Sequence, residues 1–354
     1  MPTIRDVARR AGVAPSTVSY ALSGKRSISE DARARINKAI QDLDFTPSSL
    51  GRQLAHSRSN MVGLVFPVPE MELPWETLDF LPTVAAALQK HGYGLSVFTG
   101  HMTSHQILNL YRENKVGGLI LMQVTTHDER VEILRGKGYP LVCIGRCANT
   151  EGLTVVDYAT DDAVVQIFEY LAELGHRRIG YLDVPTQKRR EKLGYARLIQ
   201  SGLDRVRRNL EHLQIVREEI DGTIEDGVRG THALLQAEPH LTAIVTVYGN
   251  SSVGALRALR QHNRRVPEDC SLIGVSRRTW ANWSNPQLTS SDIPLNDMVQ
   301  KGTSLILQQL SGTDCEPQAH IFPAQLVIRE STAPLPMPHD AHLPWFTGQL
   351  RGQE

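Results

Sequence analysis

The sequence predicts a small all-α head followed by a larger α/β body, and three observations support this division. Apolar residues recur at helical spacing through residues 3–43. From Met61 onward, short apolar runs alternate with amphipathic segments, which is the pattern of parallel sheets covered by helices. Charge changes at the same place: residues 1–60 carry ten Lys/Arg and five Asp/Glu, whereas the whole chain of 354 residues is formally neutral. The head is therefore basic and the body acidic.

Three helices are predicted in the head. Thr3 can cap the first helix, and Asp6, three positions later, favours its N-terminus. Gly12 ends that helix, and Pro15 suits the first turn of the next. Ser29 is expected to cap the third helix. The predicted apolar faces comprise Ile4, Val7, Ala8, Ala11, Val18, Ala21, Leu22, Ala32, Ile36, Ala39, Ile40 and Leu43.

Two short helices joined by a tight turn, in a basic head, are typical of a helix-turn-helix that binds DNA. The second helix leaves four short or polar side chains outward, where they can reach phosphates and base edges: Ser16, Thr17, Ser19 and Tyr20. The alternative is a three-helix bundle whose polar face is merely solvated. The charge difference between head and body favours DNA binding.

Composition places the chain among ordinary globular proteins, with 41% hydrophobic and 21% charged residues. No apolar run approaches the ~20 residues that a membrane span needs, and the basic N-terminus lacks the apolar stretch of a secretory signal. We therefore expect a cytoplasmic location. The four cysteines show no zinc-ligand spacing, and Cys143 and Cys270 fall in apolar runs where small buried hydrophobes are expected.

The predicted organisation has four parts. These are a helix-turn-helix head at 1–46, a linker at 47–60, a two-subdomain body at 61–332 and a proline-rich tail at 333–354. The middle of the linker has the length of about two helical turns, which is too short to persist alone in water. We expect it to fold only where something supports it.

The body contains two series of strands alternating with helices. Strands are predicted at 61–68, 95–100, 118–122 and 141–145, then at 178–183, 243–247 and 271–275, with a final run at 321–330. Helices are predicted at 76–91, 104–114, 160–174, 188–210, 225–236 and 250–262. Two such series indicate two doubly wound parallel-sheet subdomains with a ligand cleft between them.

Motifs of the common enzyme classes do not occur in the sequence. It has no glycine loop for a dinucleotide or a phosphate, no Gly-x-Ser-x-Gly and no His-Glu-x-x-His. We therefore expect neither catalysis nor a bound cofactor or metal. A Rossmann-like enzyme is one alternative class. A small-molecule binding protein that does not bind DNA is another, and the intact head argues against it.

Several motifs in order resemble those of the lactose/galactose repressor (LacI/GalR) family of bacterial transcription regulators. In the head and linker these are Ile4-Arg-Asp-Val-Ala8, Ala11-Gly-Val13, Ser16-Thr-Val-Ser19 and Arg52-Gln-Leu-Ala55. In the body they are Leu174-Gly-His-Arg-Arg-Ile-Gly180, Val266-Pro-Glu-Asp-Cys-Ser-Leu-Ile-Gly274 and Pro286-Gln-Leu-Thr-Ser290. The resemblance covers nearly the whole chain, residues 3–332.

The resemblance implies a periplasmic-binding-protein-like core, a homodimer and a pseudo-palindromic double-stranded DNA operator. It also implies that the linker becomes a hinge helix on the operator and that Leu54 wedges into the minor groove. Pro15, Ser16 and Tyr20 should read the operator. Many members carry an arginine at the position of Tyr20, so a bidentate guanine contact is lost here. The other candidate DNA contacts are Thr3, Thr17, Ser19, Ser29 and Arg52.

The positions that grip a sugar in the family are altered in this chain. Glu191 stands where the family has an arginine, and Arg190 lies one place early. Tyr248-Gly249 replaces Asn-Asp, and Ser276-Arg277 replaces Asp-Asp. Each lost charge-assisted hydrogen bond costs about 1.5–3 kcal/mol, so an ordinary monosaccharide site is not expected.

Two interpretations of the cleft follow. In one, it binds a different effector, such as an anion, with Arg146, Arg277 and Arg278 as counter-charges and Trp280 as a stacking face. Packing within the subdomains is the alternative role of Trp280 and Trp283. In the other, the cleft is vestigial and the protein is ungated or regulated through a partner. The candidate effector residues are Arg146, Arg190, Glu191, Tyr248, Ser276, Arg277 and Trp280. The sequence thus predicts a sequence-specific DNA-binding regulator, a repressor that acts as a dimer.

Overall fold

The protein has a three-helix head and two α/β subdomains, each built on a six-stranded sheet. The computed structural model describes residues 2–23, 27–45, 59–67, 80–184, 193–312 and 315–335. The predicted fold class is confirmed. Within these ranges, no helix is both long and apolar enough to cross a membrane.

The head consists of α1 (Ile4–Ala11), α2 (Pro15–Ser23) and α3 (Glu30–Asp42). Gly12 ends α1 with a left-handed φ of 63°, as predicted, because glycine adopts this conformation without a Cβ clash. The helices share one small core of buried side chains: Val7, Ala8, Ala11, Val18, Ile36, Ala39 and Phe45. This core fixes which face of α2 points outward.

The N-terminal subdomain carries a fully parallel sheet in the order β11-β5-β4-β3-β1-β2. Its strands are β1 (Met61–Val65), β2 (Gly94–Phe98), β3 (Gly118–Leu121), β4 (Leu141–Ile144), β5 (Thr154–Tyr158) and β11 (Ala319–Phe322). Its helices are α4 (Leu81–Lys90), α5 (Ser104–Arg112), α6 (Glu129–Glu132) and α12 (Leu295–Leu310). β3 and β4 are buried throughout, as expected of strands covered by helices on both faces.

The C-terminal subdomain repeats this plan in the order β12-β10-β9-β8-β6-β7, with only β12 antiparallel. Its strands are β6 (Arg178–Asp183), β7 (Gln214–Glu219), β8 (Ala243–Thr246), β9 (Ser271–Ser276), β10 (Thr289–Asp292) and β12 (Leu326–Val327). Its helices are α7 (Thr160–Glu173), α8 (Gly194–Asn209), α9 (Ile224–Ala237), α10 (Gly249–Gln261) and α11 (Arg278–Trp283). Cys143 and Cys270 are buried free thiols, as predicted.

The chain passes between the subdomains three times, after β5, after β10 and between β11 and β12. Consequently α7 follows an N-terminal strand but packs on α8 and β9, while α12 follows a C-terminal strand but packs on β3, β4 and β5. The carboxyl ends of both parallel sheets face the region between the subdomains, where a ligand cleft is expected in such folds.

Several elements differ from the sequence expectations. β5, β7, β10 and α12 were not predicted. β10 is polar (Thr-Ser-Ser-Asp) and β7 is a half-polar edge strand, so neither has the apolar run that identifies a buried strand. The run at 321–330 is two short strands in different sheets rather than one strand. The helices predicted at 76–91 and 188–210 are observed at Leu81–Lys90 and Gly194–Asn209, and the first residues of both predictions lie outside the described ranges.

Candidate DNA interface and effector cleft

The first turn of α1 is held by a complete capping box. The Thr3 hydroxyl donates to the Asp6 carboxylate at 2.6 Å and accepts from the Asp6 backbone N–H at 3.4 Å. The carboxylate in turn accepts from the Thr3 N–H at 2.9 Å, and these hydrogen bonds lower the pKa of Asp6. The Thr3 side chain, predicted as a DNA contact, is therefore used within the head.

The orientation of α2 is set by Val18, which is fully buried in the head core. Pro15 and Ser16 at the start of the helix are exposed, and Tyr20 is 37% exposed one turn later. Thr17 and Ser19 are half-buried beside them. The structure thus brings the five predicted α2 residues to one accessible side of the helix or its margin, as base-edge and phosphate contacts require.

Ser29 caps α3 by accepting the Ala32 N–H at 3.3 Å, as predicted. Ser29 is exposed, and the cap uses its hydroxyl oxygen only as an acceptor, so the hydroxyl can still donate a hydrogen bond. Arg52 and Leu54, the two linker candidates, lie outside the described residues.

The arginines of the head fall into two groups. Arg9, Arg10 and Arg35 form ion pairs inside the head, at 3.5 Å to Asp6, 3.1 Å to Asp42 and 3.2 Å to Asp31 respectively. Exposed cations that form no ion pair with any described residue are Arg5, Arg33 and Lys38. The pairs of Arg9 and Arg35 lie within one helix, whereas the pair of Arg10 joins α1 to α3 and could not be read from the net charge of the head.

The cleft wall of the N-terminal subdomain is formed by an ion pair rather than by a free cation. The Arg146 Nε donates to the Asp157 carboxylate at 2.6 Å, and its guanidinium also lies 3.9 Å from Asp161 at the start of α7. Asp157 is only 6% exposed, and burial raises its pKa while Arg146 acts in the opposite direction. Arg146 is thus already neutralised, which removes the support for its predicted role as a counter-charge for an anion.

The segment that follows β9 and carries predicted effector residues is linked to β10 by an ion pair. Ser276 is buried and its hydroxyl donates to the Arg277 carbonyl at 3.3 Å. Arg278 is exposed, and its guanidinium lies 3.5 Å from Asp292. Asp292 is held more strongly by Arg329, whose Nη2 lies 2.8 Å from the carboxylate. These carboxylate contacts were not foreseen, since β10 carries no strand pattern.

Tyr248 and Trp280 have different surroundings. The Tyr248 hydroxyl lies 3.1 Å from that of Tyr195 in the first turn of α8. Trp280 instead lines a groove of about 540 Å³ between α10 and α11, and all nine lining residues belong to the C-terminal subdomain. The role of Trp280 as a stacking face of the inter-subdomain cleft stays a prediction. Arg190 and Glu191 lie outside the described residues.

The two subdomains also touch directly through their backbones. Thr125 pairs with Leu193 in an isolated antiparallel bridge, and the Gly194 N–H donates to the Val124 carbonyl at 3.0 Å. A Cβ at Gly194 would overlap the carbonyl oxygen of Arg146. The sequence does not indicate this role of Gly194, because no local pattern reports a contact across the cleft.

Two family models match the chain. One, described as "Bacterial regulatory proteins, lacI family", matches residues 3–48, and the other, described as "Periplasmic binding protein-like domain", matches residues 168–332. The first range contains the helix-turn-helix, and the second runs through most of the C-terminal subdomain.

Relatives and solved structures match almost the full length. The chain is 28% identical to the NTD biosynthesis operon regulator NtdR of Bacillus subtilis (strain 168), over 94% of this chain and all of that protein. It is 28% identical to the ribose operon repressor of Halalkalibacterium halodurans, over 94% of this chain and 97% of the relative.

Among solved structures, the lac repressor dimer bound to operator and the anti-inducer ONPF superposes with a TM-score of 0.78 at 21% identity, over 94% of this chain and 99% of that one. The transcriptional regulator CelR in complex with cellobiose superposes with a TM-score of 0.68 at 25% identity, over 94% of this chain and 100% of that one. These relatives are regulators rather than enzymes. The head is therefore a LacI-family DNA-binding domain, the body contains a periplasmic-binding-protein-like domain, and the chain is a DNA-binding transcriptional regulator.

Proposed function

We propose that the protein represses transcription by binding a pseudo-palindromic operator as a homodimer. The observation that carries this proposal is the geometry of α2: Val18 anchors one face, while Pro15, Ser16 and Tyr20 are presented by a head of positive charge. In a dimer, two such helices would enter successive major grooves. A repressor acts where its operator is, so we place its action in the cytoplasm.

The DNA contacts divide by chemistry. We assign base reading to Pro15, Ser16 and Tyr20, and phosphate contacts to the hydroxyls of Thr17, Ser19 and Ser29. Thr3 acts through its cap, since its hydroxyl is already bonded to Asp6. In the linker, Arg52 is assigned to a phosphate and Leu54 to a minor-groove wedge.

A gel-shift assay with the DNA upstream of the protein's own gene tests this proposal. Binding at physiological salt should be at least ~10³-fold tighter than to random duplex, because specific regulators reach this ratio. Binding of equal strength to both duplexes would contradict it. A transcription assay with and without the protein then separates repression from activation.

The groove between α10 and α11 is the surface that we assign to the second copy. Trp283 is 76% exposed on its rim, beside apolar lining from Val253 and Leu256. A protruding ring next to a groove on one surface is self-complementary, so a two-fold axis would place each ring in the other groove. The exposed Arg257 and Arg260 can stack on an inserted ring.

Analytical ultracentrifugation tests this assignment. Trp283→Ala should weaken dimerisation, whereas Ile328→Ala, which removes an exposed apolar side chain elsewhere, should not. Equal association of the two variants and the parent would contradict the assignment.

For the cleft, we propose an effector other than an ordinary monosaccharide, recognised without Arg146 as a free cation. The ion pair between Arg146 and Asp157 supports this, because an anion would have to displace a carboxylate at 2.6 Å. A vestigial cleft is the second candidate, favoured by the contact of Gly194 with Val124. Thermal-shift screening against sugars, phosphosugars and nucleosides distinguishes the two, since a vestigial cleft gives no shift with any of them.

A further inference from the structure

The N-terminus of α8 is an unusual place for a glycine. Gly194 begins the helix with helical backbone, so no left-handed conformation calls for glycine there. Alanine favours a helix more than glycine does. A larger residue at this position would therefore stabilise α8 itself more than glycine does, so the reason for glycine lies outside the helix.

The neighbours of Gly194 supply that reason. All three atoms nearest to an added Cβ belong to the N-terminal subdomain: the carbonyl oxygen and carbon of Arg146 and the carbonyl oxygen of Val124. None belongs to the C-terminal subdomain that carries α8. A side chain at position 194 would thus clash with these atoms only while the two subdomains are in contact.

The contact is also a hydrogen bond. The first N–H groups of a helix have no acceptor within the helix, and that of Gly194 is satisfied by the Val124 carbonyl across the cleft at 3.0 Å. The neighbouring Leu193 pairs with Thr125. Separation of the subdomains would leave these backbone groups to water.

The loop after β3, which carries Val124 and Thr125, is held by hydrogen bonds that do not involve α8. Arg130 is buried and donates to the Gln123 carbonyl at 3.0 Å and to the Asp128 carboxylate at 2.6 Å. That carboxylate accepts the Thr125 N–H at 3.0 Å. The Thr126 carbonyl accepts the Ala148 N–H at 2.8 Å, which ties this loop to the one after β4. The Val124 carbonyl is therefore presented by a rigid frame.

We propose that Gly194 permits closure of the two subdomains, and that its contact with Val124 and Arg146 holds them together without a bound ligand. We call this contact the latch. Closure is then the resting arrangement of the body. An effector that prefers the open arrangement has to break this latch, and one that prefers the closed arrangement finds it already formed. The proposal does not depend on DNA binding.

Amide hydrogen exchange of the ligand-free full-length protein provides the first test. The Gly194 amide should be protected, although a first-turn amide of an isolated helix would not be. Exchange of this amide at the rate of an unprotected one would overturn the proposal without any mutation.

Substitution provides the second test. Gly194→Ala should lose protection at residues 122–126 and 193–195 and should increase the radius of gyration measured by small-angle scattering. Far-UV circular dichroism should stay unchanged, because the clash lies between subdomains. Gly100→Ala is the matched control, since an added Cβ there meets no atom within 4 Å. A folded Gly194→Ala protein with parental scattering and protection would refute the latch.

Discussion

The hydroxyl of Tyr158 lies 2.6 Å from that of Ser291, and this hydrogen bond joins the last residue of β5 to the penultimate residue of β10, the two strands that precede crossings between the subdomains. Tyr158 is 2% exposed and Ser291 is fully buried. Burial raises the pKa of Tyr158, so the phenol stays protonated and able to donate. The pair is a buried polar contact between the two subdomains, close to where the chain crosses from one to the other.

Removing one hydroxyl of this pair should destabilise the protein. Tyr158→Phe leaves the buried Ser291 hydroxyl without its partner, at a cost of about 1–3 kcal/mol in the free energy of unfolding. Urea unfolding of Tyr158→Phe, Ser291→Ala and the double variant measures it. The double variant should lose less than the sum of the singles, and strict additivity would show that the hydroxyls do not interact.

The identity of residue 20 should determine part of the operator sequence. Tyr20 is exposed on α2, and we have assigned it to base reading, for which an arginine would prefer a guanine edge. Tyr20→Arg should shift the preference at one base pair of each half-site by about 1–3 kcal/mol towards G·C. Selection from randomised duplexes measures this shift. Asn37→Ala, an exposed change on α3, is the control, and an identical selected sequence for Tyr20→Arg would contradict the assigned role.

The wedge assigned to Leu54 predicts a separable effect on DNA shape. Leu54→Ala should lower operator affinity and reduce the bend angle, because a methyl group cannot unstack a base step. Circular-permutation gel shifts measure the bend. The head should still bind with the parental sequence preference, since α2 is unchanged. A variant that bends and binds operator as the parent does would refute the wedge.

Stability should fall as the pH drops below the ordinary histidine range. His176 is 2% exposed, its Nε2 donates to the Ala333 carbonyl at 3.1 Å, and its Nδ1 lies 3.0 Å from the Thr242 hydroxyl. Burial lowers the pKa of His176 below 6.5, so the unfolded chain takes up the proton first. The stabilisation is complete above 6.5 and decreases as the pH falls towards the lowered folded-state pKa.

Urea unfolding measured on both sides of the ordinary histidine pKa checks this dependence. The free energy of unfolding should fall by up to about 1.4 kcal/mol for each pH unit below that value. His176→Gln should flatten the profile, while His240→Gln, at an exposed position, should leave it unchanged. A parental slope in His176→Gln would assign the effect to other groups.

Two arginine–carboxylate pairs should differ in their contribution to stability. Arg329 and Asp292 have side chains 8% and 5% exposed, whereas Arg265 and Asp269 are 72% and 37% exposed. Arg329→Met should cost about 3–5 kcal/mol in unfolding free energy, because among the described residues it leaves the buried carboxylate with the Ser290 hydroxyl and, as its cation, the exposed Arg278. Arg265→Met should cost much less, because both partners are solvated and their attraction is screened. Denaturant titration of both variants would contradict this ranking if the costs were equal.

Local pattern sufficed for the head and for most of the body. The positions of Gly12, Pro15 and Val18 follow from turn chemistry and from the period of a helix, which act over a few neighbouring residues. The buried strands β3 and β4 were predicted for the same reason, since an apolar run between turns needs no distant partner to be recognised. The motifs then indicated the resemblance to LacI-family regulators.

Tertiary structure decided what distant residues do to one another. The sequence shows that Arg146 is charged but not whether it faces a ligand or Asp157. Only folding brings that carboxylate to 2.6 Å from the guanidinium. The polar strand β10 exists because its neighbours β9 and β12 supply hydrogen bonds. By itself, the sequence determined that this chain binds DNA. The neutralised cleft wall and the contact of Gly194 across it arise from packing, in which residues far apart in the chain become neighbours.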